Sequence, residues 1–292
     1  MGLGLKIDYE DTSAIYLVEH PLVARILANR GLSVFYIHGE IAAPEECVVP
    51  GITKCFVPLE FTKEKMVGCG ATPESIIVTG LVIEPELVSN AESNYDLRRA
   101  RLNSNEPLTI AFFISRAYPK LHISKIMAAI ESVIGKGMKA IVFTGTEPKK
   151  AQQMKNRLDL IIERSPKFNA GNLKIIISNS RPAENQKTAE LMSEVDIIVA
   201  ASHERTNWAI GLGLPIFVLF PLIGTYALQN FDFAFDRGVA LPIPKIEDAR
   251  NLGDRLNNLR ERSMLKKMTQ DGFSTYSLDG TRFIADCVIN SL

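Results

Sequence analysis

Residues 195–240 decide the fold: VDIIVAASHERTNWAIGLGLPIFVLFPLIGTYALQNFDFAFDRGVA. An apolar run at 195–201 leads into a polar loop and then into a helix-like stretch that ends near Gly213. Pro215 opens a second apolar strand, which is followed by another loop and an amphipathic segment. This order predicts an open parallel α/β sheet, in which ligands bind in the loops beyond the carboxyl ends of the strands.

The rest of the chain repeats this alternation of short apolar runs and helix-like segments, which favours a parallel sheet covered on both faces. The predicted strands span residues 33–38, 54–59, 75–79, 108–115, 139–144, 173–178, 195–201, 215–220 and 239–241. Helical spacing predicts helices at residues 121–134, 149–165, 184–193, 226–237 and 279–292, with a short charged one near 97–102.

A polar stretch at residues 89–107 is typical of a domain boundary. We therefore expect an N-terminal domain at residues 1–95 and a C-terminal domain at residues 96–292. A chain of 292 residues is long enough for each domain to have its own hydrophobic core.

Composition restricts the function classes. The 33 basic and 33 acidic residues give no net charge, so no overall field attracts nucleic acid. The four cysteines show no CxxC spacing, which predicts neither a zinc site nor a disulfide framework and fits a reducing cytoplasm. No apolar run reaches the roughly 18 residues that span a bilayer, so we expect a cytoplasmic protein with at most peripheral membrane contact.

Three segments resemble the GT-B glycosyltransferases, in the branch of the monogalactosyldiacylglycerol synthases and the UDP-N-acetylglucosamine–lipid transferase of peptidoglycan synthesis. Residues 56–87, FVPLEFTKEKMVGCGATPESIIVTGLVIEPEL, resemble the end of that branch's N-terminal domain, and residues 20–22 and 49–56 resemble plant-type synthase segments. The third segment is similar to the family's donor-binding half. Its matching residues are Ser202, Thr206, Gly213, Leu214, Pro215, Asn230 and Gly238.

The resemblance implies an α/β protein with two Rossmann-like domains of GT-B type, the N-terminal one incomplete. It implies a hexosyltransferase that moves a sugar from a nucleotide-diphosphate donor, with UDP as the expected nucleotide, to a lipid or glycan acceptor with inversion. The donor is a substrate and no further cofactor is expected. No Asp-x-Asp element is present, so no divalent metal is implied.

Two departures from the family pattern concern the donor. The loop after the first C-terminal strand carries Ser115 and Arg116 instead of glycines, and Arg116 either contacts phosphate or is solvated at a strand end. Ala209 lies nearest to the family's ribose-binding Glu. Glu204 either supplies that carboxylate from the preceding loop or is an ordinary loop acid.

The remaining donor candidates lie in two loops. Ser202, Thr206 and Asn207 either cap a helix or share its N-terminus with a diphosphate. His203 contacts sugar or phosphate, or is an exposed loop histidine. Residues 229 and 230 resemble family positions that bind sugar hydroxyls, a task suited to amides because they both donate and accept hydrogen bonds. These two amide residues are Gln229 and Asn230.

The acceptor side offers a candidate general base. His38 and Glu40 follow a predicted strand and should face the cleft between the domains. An inverting transferase needs a group that removes the proton of the acceptor hydroxyl, and a His or Glu with a pKa near neutrality serves. We predict that His38 and Glu40 perform this step.

The chain begins close to the region that resembles the middle of the family's N-terminal domain. It is therefore a fragment, a reduced relative, or one partner of a split enzyme or dimer in which another chain completes the domain. The alternative function is a non-catalytic GT-B-like binding or assembly subunit that has lost donor chemistry. A sugar-nucleotide epimerase of the same fold is a third possibility, but the expected carboxylate and histidine series is missing.

Overall fold

The computed structural model describes residues 11–114, 117, 119–164 and 170–291. The strands are β1 (Ile15–Val18), β2 (Ser33–Ile37), β3 (Lys54–Val57), β4 (Ile76–Val78), β5 (Thr109–Phe113), β6 (Lys139–Phe143), β7 (Leu173–Ile176), β8 (Ile197–Ala200), β9 (Ile216–Leu219) and β10 (Ala240–Ile243). The helices are α1 (Pro21–Ala28), α2 (Glu60–Gly68), α3 (Pro85–Val88), α4 (Ala91–Leu102), α5 (Lys120–Gly135), α6 (Pro148–Arg164), α7 (Arg181–Leu191), α8 (Arg205–Gly211), α9 (Ala227–Asp236), α10 (Ile246–Arg250), α11 (Leu252–Glu261), α12 (Met264–Asp271) and α13 (Gly280–Ile289).

The strands form two separate sheets, and all their pairings are parallel. The N-terminal sheet has the order β1-β2-β3-β4, and the C-terminal sheet has the order β10-β9-β8-β5-β6-β7. In the C-terminal sheet the chain builds outward from β5 in one direction and then returns to place β8 on its other side. Helices α5 and α8, which follow β5 and β8, pack on opposite faces of this sheet and leave a crevice at the ends of these two strands.

The C-terminal sheet is covered on both faces, as its near-continuous apolar strands require. Helices α5 and α10 to α12 cover one face of the sheet and form a single hydrophobic cluster with it. The other face shares a cluster with the N-terminal domain, in which Leu81 and Ile83 join Trp208 and the strands β8 and β9. The two domains are thus held together by continuous apolar packing.

Helix α4 is anchored to the C-terminal domain by a buried cation. The Arg98 side chain is fully buried, and it donates three hydrogen bonds to backbone carbonyls of Val195, Leu212 and Gly213. Burial lowers the pKa of Arg98 to about 10, so the side chain stays charged at neutral pH. Through these hydrogen bonds the guanidinium links α4 to the residues just before β8 and just after α8.

The last helix returns to the N-terminal sheet. In α13, Ile284 packs against Phe35 of β2 and Phe56 of β3. The helix begins so close to the end of β4 that a Cβ on Gly280 would lie 2.6 Å from the carbonyl oxygen of Gly80. The chain therefore passes from the first sheet to the second and back. Among the described residues, no helix combines the length and apolar character needed to cross a bilayer.

Candidate functional site

A cavity of about 430 Å³ lies at the carboxyl ends of β5, β6 and β8. Its volume falls within the roughly 300–1,000 Å³ typical of small-molecule sites. Residues from the ends of β5, β6 and β8 and from the first turn of α7 form its walls. They are Phe113, Ile114, Gly145, Thr146, Arg181, Glu184, Ala200, Ala201, His203, Glu204 and Arg205. The cavity thus lies beyond the carboxyl ends of the strands, where an open parallel sheet binds its ligand.

Two arginines and Glu204 form a fixed charge cluster in the cavity wall. Glu204 lies 3.0 Å from Arg181 and also pairs with Arg205. Burial opposes ionisation of Glu204, but the two guanidinium charges outweigh it and lower the pKa of its carboxyl to about 2. The guanidinium of Arg205 lies over the rings of Phe113 (4.4 Å) and Trp208 (4.8 Å), which holds it in place.

Polar side chains of the segment after β8 form hydrogen bonds within the protein. The Ser202 hydroxyl donates to the Ala227 carbonyl at 2.6 Å, and Asn207 Nδ2 donates to the carbonyls of Gly39 and Val82. Thr206 is buried, and its hydroxyl has no hydrogen-bond partner among the described residues. Helix α8 begins at Arg205 without a side-chain cap, so none of these three residues caps it.

His203 also lines the cavity, next to Glu204 and Arg205. Its ring packs against Gly224, where a Cβ would lie 3.2 Å from His203 Cε1. Gly224 also has a φ of +92°, a conformation that other residues rarely adopt. The backbone at residue 224 thus leaves room for the imidazole beside the cavity. The predicted phosphate contacts Ser115 and Arg116 lie outside the described residues.

Asn230 and Gln229 have opposite surroundings. Asn230 is fully buried: its Oδ1 accepts from the Ala42 N–H at 2.8 Å, and its Nδ2 donates to Glu40 Oε2 (2.6 Å) and to the Ser202 carbonyl (3.2 Å). Gln229 is exposed and lies outside the cavity wall. In this arrangement the Asn230 amide joins the two domains, and both of its N–H donors are occupied by protein groups.

We expect Asn230→Ala to lower the free energy of unfolding by about 2–4 kcal/mol, because it leaves the buried Ala42 N–H and the Ser202 carbonyl without their partners. Urea unfolding followed by circular dichroism measures the change. The matched control is the exposed neighbour, Gln229→Ala, for which we expect a change within about 0.5 kcal/mol. Equal effects of the two substitutions would contradict this role of Asn230.

His38 and Glu40 also differ. Both His38 ring nitrogens are occupied, since Nε2–H donates to the Ala42 carbonyl (2.7 Å) and Nδ1 accepts from the Tyr36 hydroxyl (3.0 Å). Burial lowers the pKa of His38 to about 4, which the Ala42 hydrogen bond only partly opposes. His38 is therefore a neutral residue that holds the backbone next to Glu40, with neither nitrogen open to an acceptor in this conformation.

The carboxyl of Glu40 has a raised pKa. Burial raises the pKa of its carboxyl to about 7; the Asn230 hydrogen bond opposes this rise, and the negative charge of Glu204 adds to it. The residue as a whole is partly exposed. Through Asn230 it is connected to the Ser202 carbonyl and thus to the loop that forms one cavity wall. Glu40 therefore lies at the contact between the two domains, and it is not one of the residues that line the cavity.

Sequence reasoning did not single out Glu184 and Arg205. A signal for Glu184 was present, because Ser180 followed by Arg181 and Pro182 is a typical helix start at the end of a strand. The Ser180 hydroxyl does accept from the Ala183 N–H and caps α7, which directs the first turn of that helix toward the cavity. No sequence pattern pointed to Arg205, because Phe113 is distant in the sequence and Trp208 belongs to the same helical stretch.

No family model and no curated protein matches the chain. Its fold is similar to that of UDP-GlcNAc 2-epimerase from Neisseria meningitidis bound to UDP-GlcNAc, at 15% identity and a TM-score of 0.66, over 94% of this chain and 76% of that one. It is also similar to the S. aureus MnaA–UDP co-structure, at 12% identity and a TM-score of 0.59, over 95% and 74% of the two chains. A third similar structure is Anabaena Alr3699/HepE in complex with UDP and glucose, at 14% identity and a TM-score of 0.52, over 95% and 78%.

At these identities the likeness shows the fold alone. The chain has an α/β fold of GT-B type with two Rossmann-like domains, one built on a sheet of four parallel strands and the other on six, as predicted. The narrower resemblance, to the monogalactosyldiacylglycerol synthase and peptidoglycan transferase branch, stays a prediction. So does the division of the chain at residue 95.

Proposed function

We propose that the chain binds a nucleoside-diphosphate sugar, with UDP as its nucleotide, in the cavity at the carboxyl ends of β5, β6 and β8, and transfers the sugar to a lipid or glycan acceptor. The observation that carries this proposal is the charged cavity at the point where the strand order of the C-terminal sheet reverses. The fold supports it, because similar structures contain UDP or UDP-GlcNAc. His203 and the predicted loop residues Ser115 and Arg116 would contact the donor phosphates or sugar.

In the proposed reaction Glu40 acts as the general base. The acceptor hydroxyl attacks the anomeric carbon as the bond from that carbon to the diphosphate breaks, and the electron pair leaves with UDP. The Glu40 carboxylate takes the hydroxyl proton, for which a pKa of about 7 is suited at neutral pH. Attack opposite the leaving group inverts the anomeric centre. In this proposal the Asn230–Glu40 hydrogen bond opens so that the acceptor hydroxyl reaches the Glu40 carboxylate, which does not line the cavity.

A second candidate function is that of a non-catalytic GT-B-like binding or assembly subunit. The observation that favours it is the use of predicted donor residues in contacts between the domains: Asn207 bonds to Gly39 and Val82, and Asn230 to Glu40 and Ala42. In addition, Ala209 is fully buried in the shared hydrophobic cluster, so no carboxylate at that position faces the cavity.

Thermal unfolding in the presence of nucleotides tests the proposal. A ligand at one hundred times its dissociation constant stabilises the folded state by about 2.7 kcal/mol, which gives a clear rise in Tm. We expect a rise with UDP and UDP-sugars and a smaller one with GDP and CDP. No rise with any of these nucleotides would reject donor binding. Binding of UDP-sugars without transfer to diacylglycerol vesicles or glycan acceptors would favour the second candidate, and C2 epimerisation of UDP-GlcNAc without acceptor would indicate an epimerase instead.

A further inference from the structure

Glu184 is a buried carboxylate that faces the cavity without a hydrogen-bond donor. Only 6% of the residue is exposed, and it forms part of the cavity wall. Its Oε2 lies 3.8 Å from Arg181 Nη1, an ion-pair distance too long for a hydrogen bond. Its carboxylate accepts no hydrogen bond from any residue that the structure describes. The open accepting positions of Glu184 are therefore directed at whatever occupies the cavity.

A carboxylate in this position demands donors from its ligand. Buried polar groups are nearly always hydrogen-bonded, and burying an unsatisfied charge costs more free energy than burying a neutral group. An ionised carboxylate only accepts hydrogen bonds, and its two oxygens can accept two at once. Two neighbouring hydroxyls of a ligand can donate to it together. A phosphate does not match it, because a phosphate offers no donor when ionised and repels the carboxylate.

The other carboxylate in the wall is already committed. The Oε1 atom of Glu204 pairs with both Arg181 and Arg205, so two guanidinium charges neutralise this carboxylate. Arg181 lies between the two acids, and its pairing with Glu204 at 3.0 Å is closer than its approach to Glu184 at 3.8 Å. The cavity thus contains one neutralised acid and one acid whose oxygens are open to a ligand.

We propose that Glu184 accepts hydrogen bonds from the two hydroxyls of a ribose, and so selects ribonucleotides over 2′-deoxyribonucleotides. This inference rests on the proposed function, since it assumes that a nucleotide occupies the cavity. It assigns ribose recognition to the first turn of α7. The sequence analysis had looked for that recognition in the β8 loop and in α8, at Glu204 and Ala209.

The test compares the dissociation constants of UDP and 2′-deoxy-UDP by isothermal titration calorimetry. For the full-length wild-type chain we expect UDP to bind at least about tenfold more tightly, since a hydrogen bond to a charged group contributes roughly that factor or more. In Glu184→Gln, which keeps the side-chain volume, the ratio should fall to within about threefold of one. The matched control is Glu190→Gln, an exposed acid on the same helix, which should keep the wild-type ratio.

The outcomes separate this inference from the proposed function. If UDP binds and Glu184→Gln keeps the wild-type ratio, the ribose assignment is wrong while donor binding stands. A ratio near one in the wild-type chain would also overturn the assignment. If no nucleotide binds to wild-type protein, both proposals fail together. Each variant's Tm without ligand shows whether it is folded, and Glu184→Asp, which retracts the carboxylate, should give an intermediate ratio.

Discussion

Arg98→Ala is expected to lower the free energy of unfolding by about 3–5 kcal/mol. The substitution removes a fully buried side chain and leaves three backbone carbonyls, those of Val195, Leu212 and Gly213, without the donors that now satisfy them. Each unpaired buried acceptor costs about 1–3 kcal/mol, and the vacated volume adds a packing loss. Chemical denaturation followed by circular dichroism measures the change.

Two further variants make this prediction specific. Arg99→Ala changes the exposed neighbour on the same helix, and we expect it to shift stability by no more than about 0.5 kcal/mol. Arg98→Met restores much of the side-chain volume but supplies no donor, so it should recover only the packing part of the loss. A stability of Arg98→Met equal to that of the wild type would show that the three carbonyl contacts contribute nothing, contrary to our interpretation.

Glu40→Gln is expected to lower the rate of sugar transfer by about 10²- to 10⁴-fold, the usual contribution of a general base. The Gln side chain still accepts from Asn230 Nδ2, so the domain contact persists while the proton acceptor is lost. The rate can be measured as UDP release from UDP-galactose or UDP-N-acetylglucosamine with diacylglycerol vesicles as the acceptor. Glu46→Gln, which changes an exposed acid of the same domain, should leave the rate unchanged.

The pH dependence gives a second readout for Glu40. Only the ionised carboxylate removes a proton, so the wild-type rate should rise with pH through about 7, the raised pKa of Glu40. A rate of Glu40→Gln within threefold of wild type, with the same pH profile, would exclude Glu40 as the base.

The free energy of unfolding should depend on pH in the opposite direction to the transfer rate, because ionisation of the buried Glu40 destabilises the folded chain. Between its ordinary pKa of 4.5 and about 7, the folded chain keeps a proton on Glu40 that the unfolded chain has released. The stabilising contribution of this proton is fully present below about pH 4.5 and is lost as the pH rises through about 7. We therefore expect the wild type to lose stability relative to Glu40→Gln as the pH rises across this window. A constant difference between the two across the window would show that the pKa of Glu40 is not raised.

Most of the fold was predictable because it depends on local patterns. Every predicted strand is present, as β2 to β10, since runs of β-branched residues between turn signals suffice to identify buried parallel strands. The predicted helices appear as α4 to α7, α9 and α13. Sequence reasoning missed β1, a strand of four residues, and the helices α1, α3 and α10 to α12, which have four to ten residues each. Segments this short carry too few turns of periodicity to be recognised.

The candidate site was less predictable, because its contacts join residues that lie far apart in the sequence. Asn230 matched a position expected to bind sugar, but its amide meets Ala42 and Glu40, nearly 190 residues earlier in the chain. Glu204 was predicted as an acceptor for a ligand, and in the structure its Oε1 pairs with Arg181 and Arg205. The sequence pointed to loops at the strand ends, and the cavity lies at the same end of the sheet. It did not reveal which side chains in those loops are already satisfied by protein groups.

The most direct test of the account is calorimetric titration of UDP into the wild type and into Ala201→Phe, which places a ring in the cavity wall beside His203. We predict saturable binding at one site in the wild type and at least about a tenfold loss of affinity in Ala201→Phe, while the Tm of the unliganded variant stays close to that of the wild type. Equal affinity of the two proteins, or no binding by the wild type, would contradict the claim that this cavity is a nucleotide site.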